Sequence, residues 1–225
     1  MIVLAIDTAS SLCAACLYDS TAENEVGRAV LDLGKGHAEH VMAVVGEALE
    51  NAGLAYEDVD AVAVSVGPGS FTGVRVGVAA ARGLALALKI PAIAVSTLEA
   101  IAAETRETFP HRPVLAAIGR GESLAIARFD GQGVCHDGPR RALLPEIADI
   151  ARTEHPVLAG DAAEAISLAA GGALDIGPRA ATADIALYAR IAAARPPNGG
   201  KPRPLYLRAP DAKPQSAFAL PVRER

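Results

Sequence analysis

Gly67-Pro68-Gly69-Ser70-Phe71-Thr72-Gly73-Val74-Arg75 joins the apolar run Ala61–Val66 to a helical stretch that continues to Leu88. A buried strand, a glycine turn and a long helix in direct succession open an α/β unit. From Phe71 to Leu88 the only charged residues are Arg75 and Arg82, seven apart and so on one helical stripe. A helix apolar almost all round has to be covered on more than one side. One side faces the parent sheet; the other is covered by a neighbouring helix of this chain or by another protein. Gly73, Gly77 and Ala81 recur at four-residue spacing, which lets a partner backbone approach closely. That spacing is familiar from membrane helices, but this segment is short and carries two arginines, so no membrane span is expected. The turn has two readings. Its glycines and the free N–H groups of the first helical turn suit an anion; the plainer reading is a capped turn with Ser70 or Thr72 as N-cap. It has neither the spacing nor the lysine of a P-loop.

Working outward, residues 2–6 form a short apolar run that ends at Asp7, a buried strand. Leu12 to Tyr18 and Glu23 to Leu33 read as two more strands around an Asp19-Ser20-Thr21 turn, together an antiparallel meander. Val41, Val44, Val45, Ala48, Leu49 and Ala52 then carry a helical stripe, and Gly53 stands where a residue with positive φ stops the helix. Downstream, Pro91 precedes a strand at Ala92–Val95, and Thr97 can cap a third helix, Leu98–Glu104. Arg106–Pro113, polar with two prolines, marks a lobe boundary. Val114–Ile118, Ser123–Phe129 and Val157–Ala159 read as strands of a second lobe, Asp161–Ala169 and Thr182–Ala194 as its helices. Residues 196–214 hold six prolines and read as an extended tail. The chain thus divides into residues 1–105, an N-terminal lobe with partner-binding helices; 106–195, a second lobe; and 196–225, a Pro-rich basic tail. No residue identity repeats, although strands followed by a helix occur once in each lobe.

The bulk composition narrows the function. A chain of 225 residues can bury roughly 70% of its unfolded surface. Its apolar half is mostly Ala, Val, Leu and Ile, with 4% aromatic residues, so platforms for stacking on bases are scarce. From Arg195 onward seven basic residues face two acidic ones, which leaves 14 basic and 24 acidic residues, a charge of −10, on residues 1–194. Phosphate backbones repel such a body, and only the tail has a suitable charge. Residues 1–6 lack a preceding basic region and a following cleavage site, and the expectation is a cytoplasmic chain.

Catalytic patterns are scarce. Cys13 and Cys16, three apart on a strand, point to opposite faces, which argues against metal or redox use. His37 and His40 share a face at the start of the first helix, and two histidines alone make no metal site. They read as exposed helix-start residues or as part of a partner surface. There is no Gly-x-Ser-x-Gly elbow and no His-Glu-x-x-His. No catalytic residue and no metal ligand is assigned.

Leu4-Ala-Ile-Asp7-Thr-Ala9, Gly67-Pro-Gly-Ser-Phe-Thr-Gly-Val-Arg75, Gly83-Leu-Ala, Val95-Ser-Thr-Leu98 and Tyr206-Leu-Arg208 resemble the bacterial TsaB family of tRNA threonylcarbamoyladenosine biosynthesis proteins, glycoprotease-like inactive paralogues of TsaD. The resemblance spans nearly the whole chain, and the Gly-Pro-Gly-Ser-Phe-Thr-Gly run is its most specific part. It implies an α/β, two-lobed fold of the actin/Hsp70/acetate-kinase type, each lobe a mixed sheet with helices. It also implies a non-catalytic scaffold subunit of the tRNA threonylcarbamoyl transferase complex. The catalytic TsaD paralogue carries a His-x-x-x-His metal pair where this chain has Val95-Ser96-Thr97-Leu98-Glu99-Ala100, which suits a scaffold. Pairing with the TsaD-type subunit is expected through the first two long helices, with His37, His40, Val41, Val44, Phe71, Val74, Arg75 and Val78 on or beside the interface. The resemblance further implies that a TsaE-type ATPase joins the complex, that tRNA is reached indirectly through the complex, and that isolated copies form a homodimer through the same surface.

In folds of this type an Asp after the first strand can hold Mg²⁺ through water, which makes Asp7, Thr8 and Ser70 candidates for a vestigial or interfacial nucleotide contact. Ala9 stands where nucleotide-binding relatives have a glycine. The chain is thus expected to hold no cofactor of its own, and ATP or ADP is left to the interface of the complex. After Ile118 the family shows an Asp and a basic pair, whereas this chain reads Gly119-Arg120-Gly121-Glu122-Ser123-Leu124. Two rivals stand beside this reading. One is an enzyme, an actin-fold ATP-dependent kinase or a glycoprotease-type metalloenzyme; the other is a tRNA-binding module working through the basic tail.

Overall fold

The computed structural model describes residues 1–195 and 200–207. β1 (Ile2–Asp7), β2 (Leu12–Asp19) and β3 (Asn24–Asp32) form the expected antiparallel meander, and Asp19 Oδ1 accepts from the Thr21 amide (2.8 Å) at its first turn. β1 and β2 are covered on both faces, which is why they read as continuous apolar runs. α1 (His37–Ala52) follows and stops at Gly53, whose φ is 66°. β4 (Ala61–Ser65), α2 (Phe71–Leu88), β5 (Ala92–Val95) and α3 (Thr97–Thr108) complete the first half. The sheet order is β3-β2-β1-β4-β5, with β4 parallel to both β1 and β5.

The second half repeats the plan. β6 (Val114–Ile118), β7 (Ser123–Phe129) and β8 (Cys135–Leu143) are an antiparallel meander; α4 (Leu144–Glu154) leads to β9 (Val157–Ala159), parallel to β6, and α5 (Ala163–Ala169) follows. The order β8-β7-β6-β9 matches β3-β2-β1-β4 in the first sheet. α6 (Ile185–Ala193) then crosses back to lie on β1 and β2.

The result is layered. α1 and α2 cover the outer side of the first sheet, and α4 and α5 cover the outer side of the second. α3 and α6 lie between the sheets, in a core that joins Val3, Ala5, Leu98, Ile101, Val114, Ala116 and Tyr188. The architecture is the two-lobed α/β fold the sequence implied, each lobe a mixed sheet with helices. Arg28 donates to Asp184 (2.7 Å) and pins the start of α6 to β3.

Several element ends differ from the sequence reading. Thr97 does not cap α3: Ser96 holds the N-cap position, and the buried Thr97 Oγ1 lies 3.0 Å from Ser65 Oγ. α6 begins later than Thr182 because Asp184 caps it, Oδ1 accepting from the Ala186 amide at 2.9 Å. α5 likewise starts at Ala163 rather than Asp161. Between Phe129 and Val157, where the sequence pattern assigns no element, lie β8 and α4. Residues 196–199 and the basic tail beyond Leu207 lie outside the described residues.

α2 ends where the sequence puts it, and Ser70 is its cap, with Oγ accepting from the Gly73 amide at 3.2 Å. Among the described residues α2 alone is long and apolar enough to cross a membrane, yet it lies along the first sheet with its small-residue stripe inward. Here the sequence reading needs correction. Gly73 and Gly77 admit this chain's own Thr8, not a partner's backbone, and Ala81 is buried in the same core: a Cβ on Gly73 would run into the Thr8 carbonyl oxygen, and one on Gly77 into Thr8 Oγ1. Thr8 Oγ1 donates to the Gly73 carbonyl (2.7 Å) and fixes that approach. Gly73→Ala is therefore expected to lose about 1–3 kcal/mol through overpacking, which outweighs a helix-propensity gain of about 1 kcal/mol. Gly83→Ala, with open space around it, should keep the propensity gain. Urea melts of the two variants check the opposite signs.

Candidate functional site

α1 and α2 lie side by side, and each turns one stripe into the sheet. On α1 that stripe includes Val41, Val44, Val45, Ala48 and Leu49; on α2 it includes Val74, Val78, Ala81 and Ala85. Val41, Val44, Val74 and Val78, expected at a partner surface, are thus buried in this chain's own core. A helix apolar on nearly every face gives no sign of which face turns inward. The exposed counterparts are Met42 and Ala43 on α1 and Phe71, Ala79, Gly83 and Leu86 on α2. Phe71 is 53% and Leu86 81% exposed. Gly46 and Gly83 have open space where a Cβ would point, so the outer face is apolar and lined by small residues. A contiguous exposed apolar face of this kind is uncommon on the exterior of a protein that stands alone. Its flanking exposed charges are acidic on α1 (Glu39, Glu47) and basic on α2 (Arg75, Arg82).

At the start of α2 this face has an anchor. Leu205 donates its amide to the Val66 carbonyl (2.8 Å), which brings the segment 205–207 back beside the Gly67–Ser70 turn. Tyr206 then stacks tilted on Phe71 at 5.6 Å between ring centroids. The Arg75 guanidinium lies 3.7 Å from the Phe71 centroid, and its Nε donates to the Tyr206 hydroxyl (2.7 Å). Exposed aromatic and arginine side chains held in one cluster are the residue types that dominate binding energy at interfaces. The sequence reading included Phe71 and Arg75 but not Tyr206, because only the fold brings residue 206 beside residue 71.

Asp7 and Thr8, two of the candidates for a nucleotide contact, do not reach the surface of the chain. Both are buried; Asp7 Oδ2 accepts from Thr182 Oγ1 (2.5 Å), Oδ1 accepts from the Ala9 amide (2.9 Å), and Thr182 Oγ1 lies 2.7 Å from the hydroxyl of the buried Tyr188. Burial pushes the Asp7 pKa above its ordinary 3.8, against hydrogen bonds from Thr182, Ala9 and Ser65 that favour the ionised form. A carboxyl with a raised folded-state pKa stabilises the fold most below its unfolded pKa, and that contribution is lost as pH rises through the folded value. The stability difference between wild type and Asp7→Asn is thus expected to shift against wild type as pH rises from about 4. Thermal melts of both proteins across pH check this. A difference that is flat in pH would show that Asp7 is not desolvated.

Ser70, the third candidate contact, is exposed and lines a cavity of about 840 Å³ between the two sheets. The other lining residues include Ser10, Phe71, Arg120, Arg141, Asp161 and Leu205 to Leu207. The histidines separate: His40 is exposed, whereas Gly36, at φ 86°, turns the chain so that His37 is buried, with no hydrogen-bond partner for Nε2 among the described residues. They therefore share no exposed face. Cys13 and Cys16 lie in different cores on opposite sides of the sheet. Among the described residues no three His, Cys, Asp or Glu converge as metal ligands.

A family model of TsaD, tRNA N6-adenosine threonylcarbamoyltransferase, matches residues 32–181. The chain belongs to this family. Within the TsaD family it is similar to TsaB proteins: the Escherichia coli (strain K12) tRNA threonylcarbamoyladenosine biosynthesis protein TsaB is 37% identical over 152 residues, 65% of this chain and 64% of that protein. A Jannaschia sp. (strain CCS1) tRNA N6-adenosine threonylcarbamoyltransferase is 40% identical over 144 residues, 57% of this chain and 40% of that one. The matches thus span only part of these relatives' length. A crystal structure of a Pseudomonas aeruginosa protein with similarity to peptidase YEAZ superposes with a TM-score of 0.73 at 27% identity, over 92% of this chain and 99% of that chain. The TsaD-family match takes in α1, α2 and most of the cavity lining; Thr182, Tyr188 and Tyr206 lie beyond it.

Proposed function

We propose that this chain is a non-catalytic scaffold subunit of the tRNA threonylcarbamoyl transferase complex, which binds a TsaD-type catalytic subunit and supports threonylcarbamoyladenosine formation on tRNA. Family membership and likeness to TsaB proteins support the pathway. The exposed α1–α2 face carries the scaffold role, because an apolar surface lined by Ala43, Gly46, Ala79 and Gly83 lets another helix pair approach closely and exclude water. His40, Phe71 and Arg75 remain in this interface from the sequence reading, joined by Met42, Ala79, Gly83, Leu86 and Tyr206. Two observations favour a subunit without its own turnover. Asp7 is sealed by Thr182 and Tyr188, and the stretch Val95–Ala100 builds a strand end and the start of α3 instead of a metal pair.

In this reading a TsaE-type ATPase joins the complex, isolated copies pair through the same α1–α2 face, and tRNA is reached indirectly. ATP or ADP of the complex would sit at the subunit seam near Ser70. Assembly is cytoplasmic and away from membranes. The test is to mix the purified chain with a TsaD-type subunit and resolve the species by size-exclusion chromatography with light scattering, assaying threonylcarbamoyl transfer alone and together. A stable complex, with transfer only in the mixture, is expected. Transfer by this chain alone, or no complex at any concentration, would sink the proposal.

A further inference from the structure

Tyr206 reaches the outer face of α2 because residues 200–207 run back over the first lobe without belonging to any helix or strand. Pro202 is buried in that seat. Leu205 packs against the core under α1 and α2, and Leu207 against the core between the sheets. Between them Tyr206 turns outward onto Phe71. Among the described residues, the one backbone hydrogen bond that seats the segment runs from the Leu205 amide to the Val66 carbonyl (2.8 Å). Pro202 and Pro204 have no amide proton, so that bond cannot extend into a strand ladder. An irregular segment with half-buried leucines and little backbone bonding opens at far less cost than the sheet beside it.

What the segment holds is the anchor of the docking face. Phe71 and Arg75 are both exposed on the first turns of α2. The Arg75 guanidinium lies 3.7 Å from the Phe71 centroid and 5.3 Å from that of Tyr206, and its Nε donates to the Tyr206 hydroxyl at 2.7 Å. With the segment lifted, Arg75 loses that acceptor and Phe71 its aromatic neighbour. An exposed arginine regains rotamer freedom, which docking would then have to remove again. A seated segment thus orders the anchor before the partner arrives.

We propose that residues 200–207 form a strap that opens and closes as a unit, and that its closure positions Phe71 and Arg75 for the partner, a reading that rests on the α1–α2 face being the docking surface. Closure and docking are then coupled, and the coupling is reciprocal. The factor by which an open strap weakens docking equals the factor by which a docked partner suppresses opening.

The test follows amide hydrogen exchange of the full chain, alone and saturated with a TsaD-type subunit, together with the affinity of Leu205→Pro. That variant removes the donor to Val66 at a position outside every helix and strand. In the lone chain the Leu205 amide should exchange about a hundredfold or more faster than the Val64 amide in β4. Leu205→Pro should stay folded, move the NMR signals of Phe71 and of the Arg75 Nε–H, and bind the subunit about tenfold more weakly. Saturation with the subunit should slow exchange at Leu205 of the wild type by a similar factor. Exchange at Leu205 as slow as at Val64, or unfolding of Leu205→Pro, would overturn the strap as a separable unit. Unmoved Phe71 and Arg75 signals, or wild-type affinity in Leu205→Pro, would overturn the coupling while leaving the docking face standing. Failure of the wild type itself to bind the subunit would remove the docking reading, and the coupling with it.

Discussion

Replacing Val78 by Glu is expected to destabilise the fold strongly, not simply to block docking. Val78 is 3% and Val74 5% exposed, both packed in the core between α2 and the first sheet. A carboxylate forced there has no partner and must either stay charged in an apolar setting or take up a proton. The loss should be on the order of 4 kcal/mol, against a total stability of about 5–15 kcal/mol for an ordinary domain. Val74 and Val78 placed on or beside a partner interface, as the resemblance implied, would instead give a folded monomer that cannot bind. Circular dichroism and urea melts of Val74→Glu and Val78→Glu separate the two: wild-type stability in both would mean α2 is not seated as the structure has it.

The same substitution one residue further along should behave differently. Ala79 and Gly83 face outward, and Glu at either position meets water in the monomer. Thermal stability should change by no more than about 0.5 kcal/mol for Ala79→Glu. In the complex that carboxylate would lie buried between helices, and affinity for a TsaD-type subunit should fall roughly hundredfold or more. Calorimetry on the purified pair measures it. Unchanged affinity for both variants would remove the α1–α2 face from the interface. Tyr206→Ala should act on the same surface more mildly, by removing the hydroxyl that accepts from Arg75 Nε while Arg75 keeps its contact with Phe71.

Much of the fold was legible in the sequence because the decisive segments are one-sided in composition. Phe71–Leu88 announces a helix by its length and its turn, Ala61–Val66 a strand by its β-branched run. Orientation was not legible. Val74 and Ala79 are equally apolar, and Gly73 and Gly83 are both glycine, yet one of each pair faces the sheet and the other faces out. What decides is Thr8, which comes close enough to α2 to require glycine, and that contact joins residues 65 apart. β8 was hidden because an edge strand can carry Asp137 and Arg140 as a surface ion pair (2.7 Å), so its residues lack a strand's apolar pattern. The polar capping of Asp7 was equally hidden, since Thr182 lies 175 residues away and looks like an ordinary helix start.

The most direct measurement is nucleoside mass spectrometry on total tRNA from cells depleted of this protein and resupplied with either wild type or Ala79→Glu. Threonylcarbamoyladenosine should fall on depletion, return with wild type, and stay low with the docking-face variant. Persistence of the modified nucleoside in depleted cells would contradict the assignment to this pathway, and full recovery with Ala79→Glu would contradict the α1–α2 face as the surface through which the chain acts.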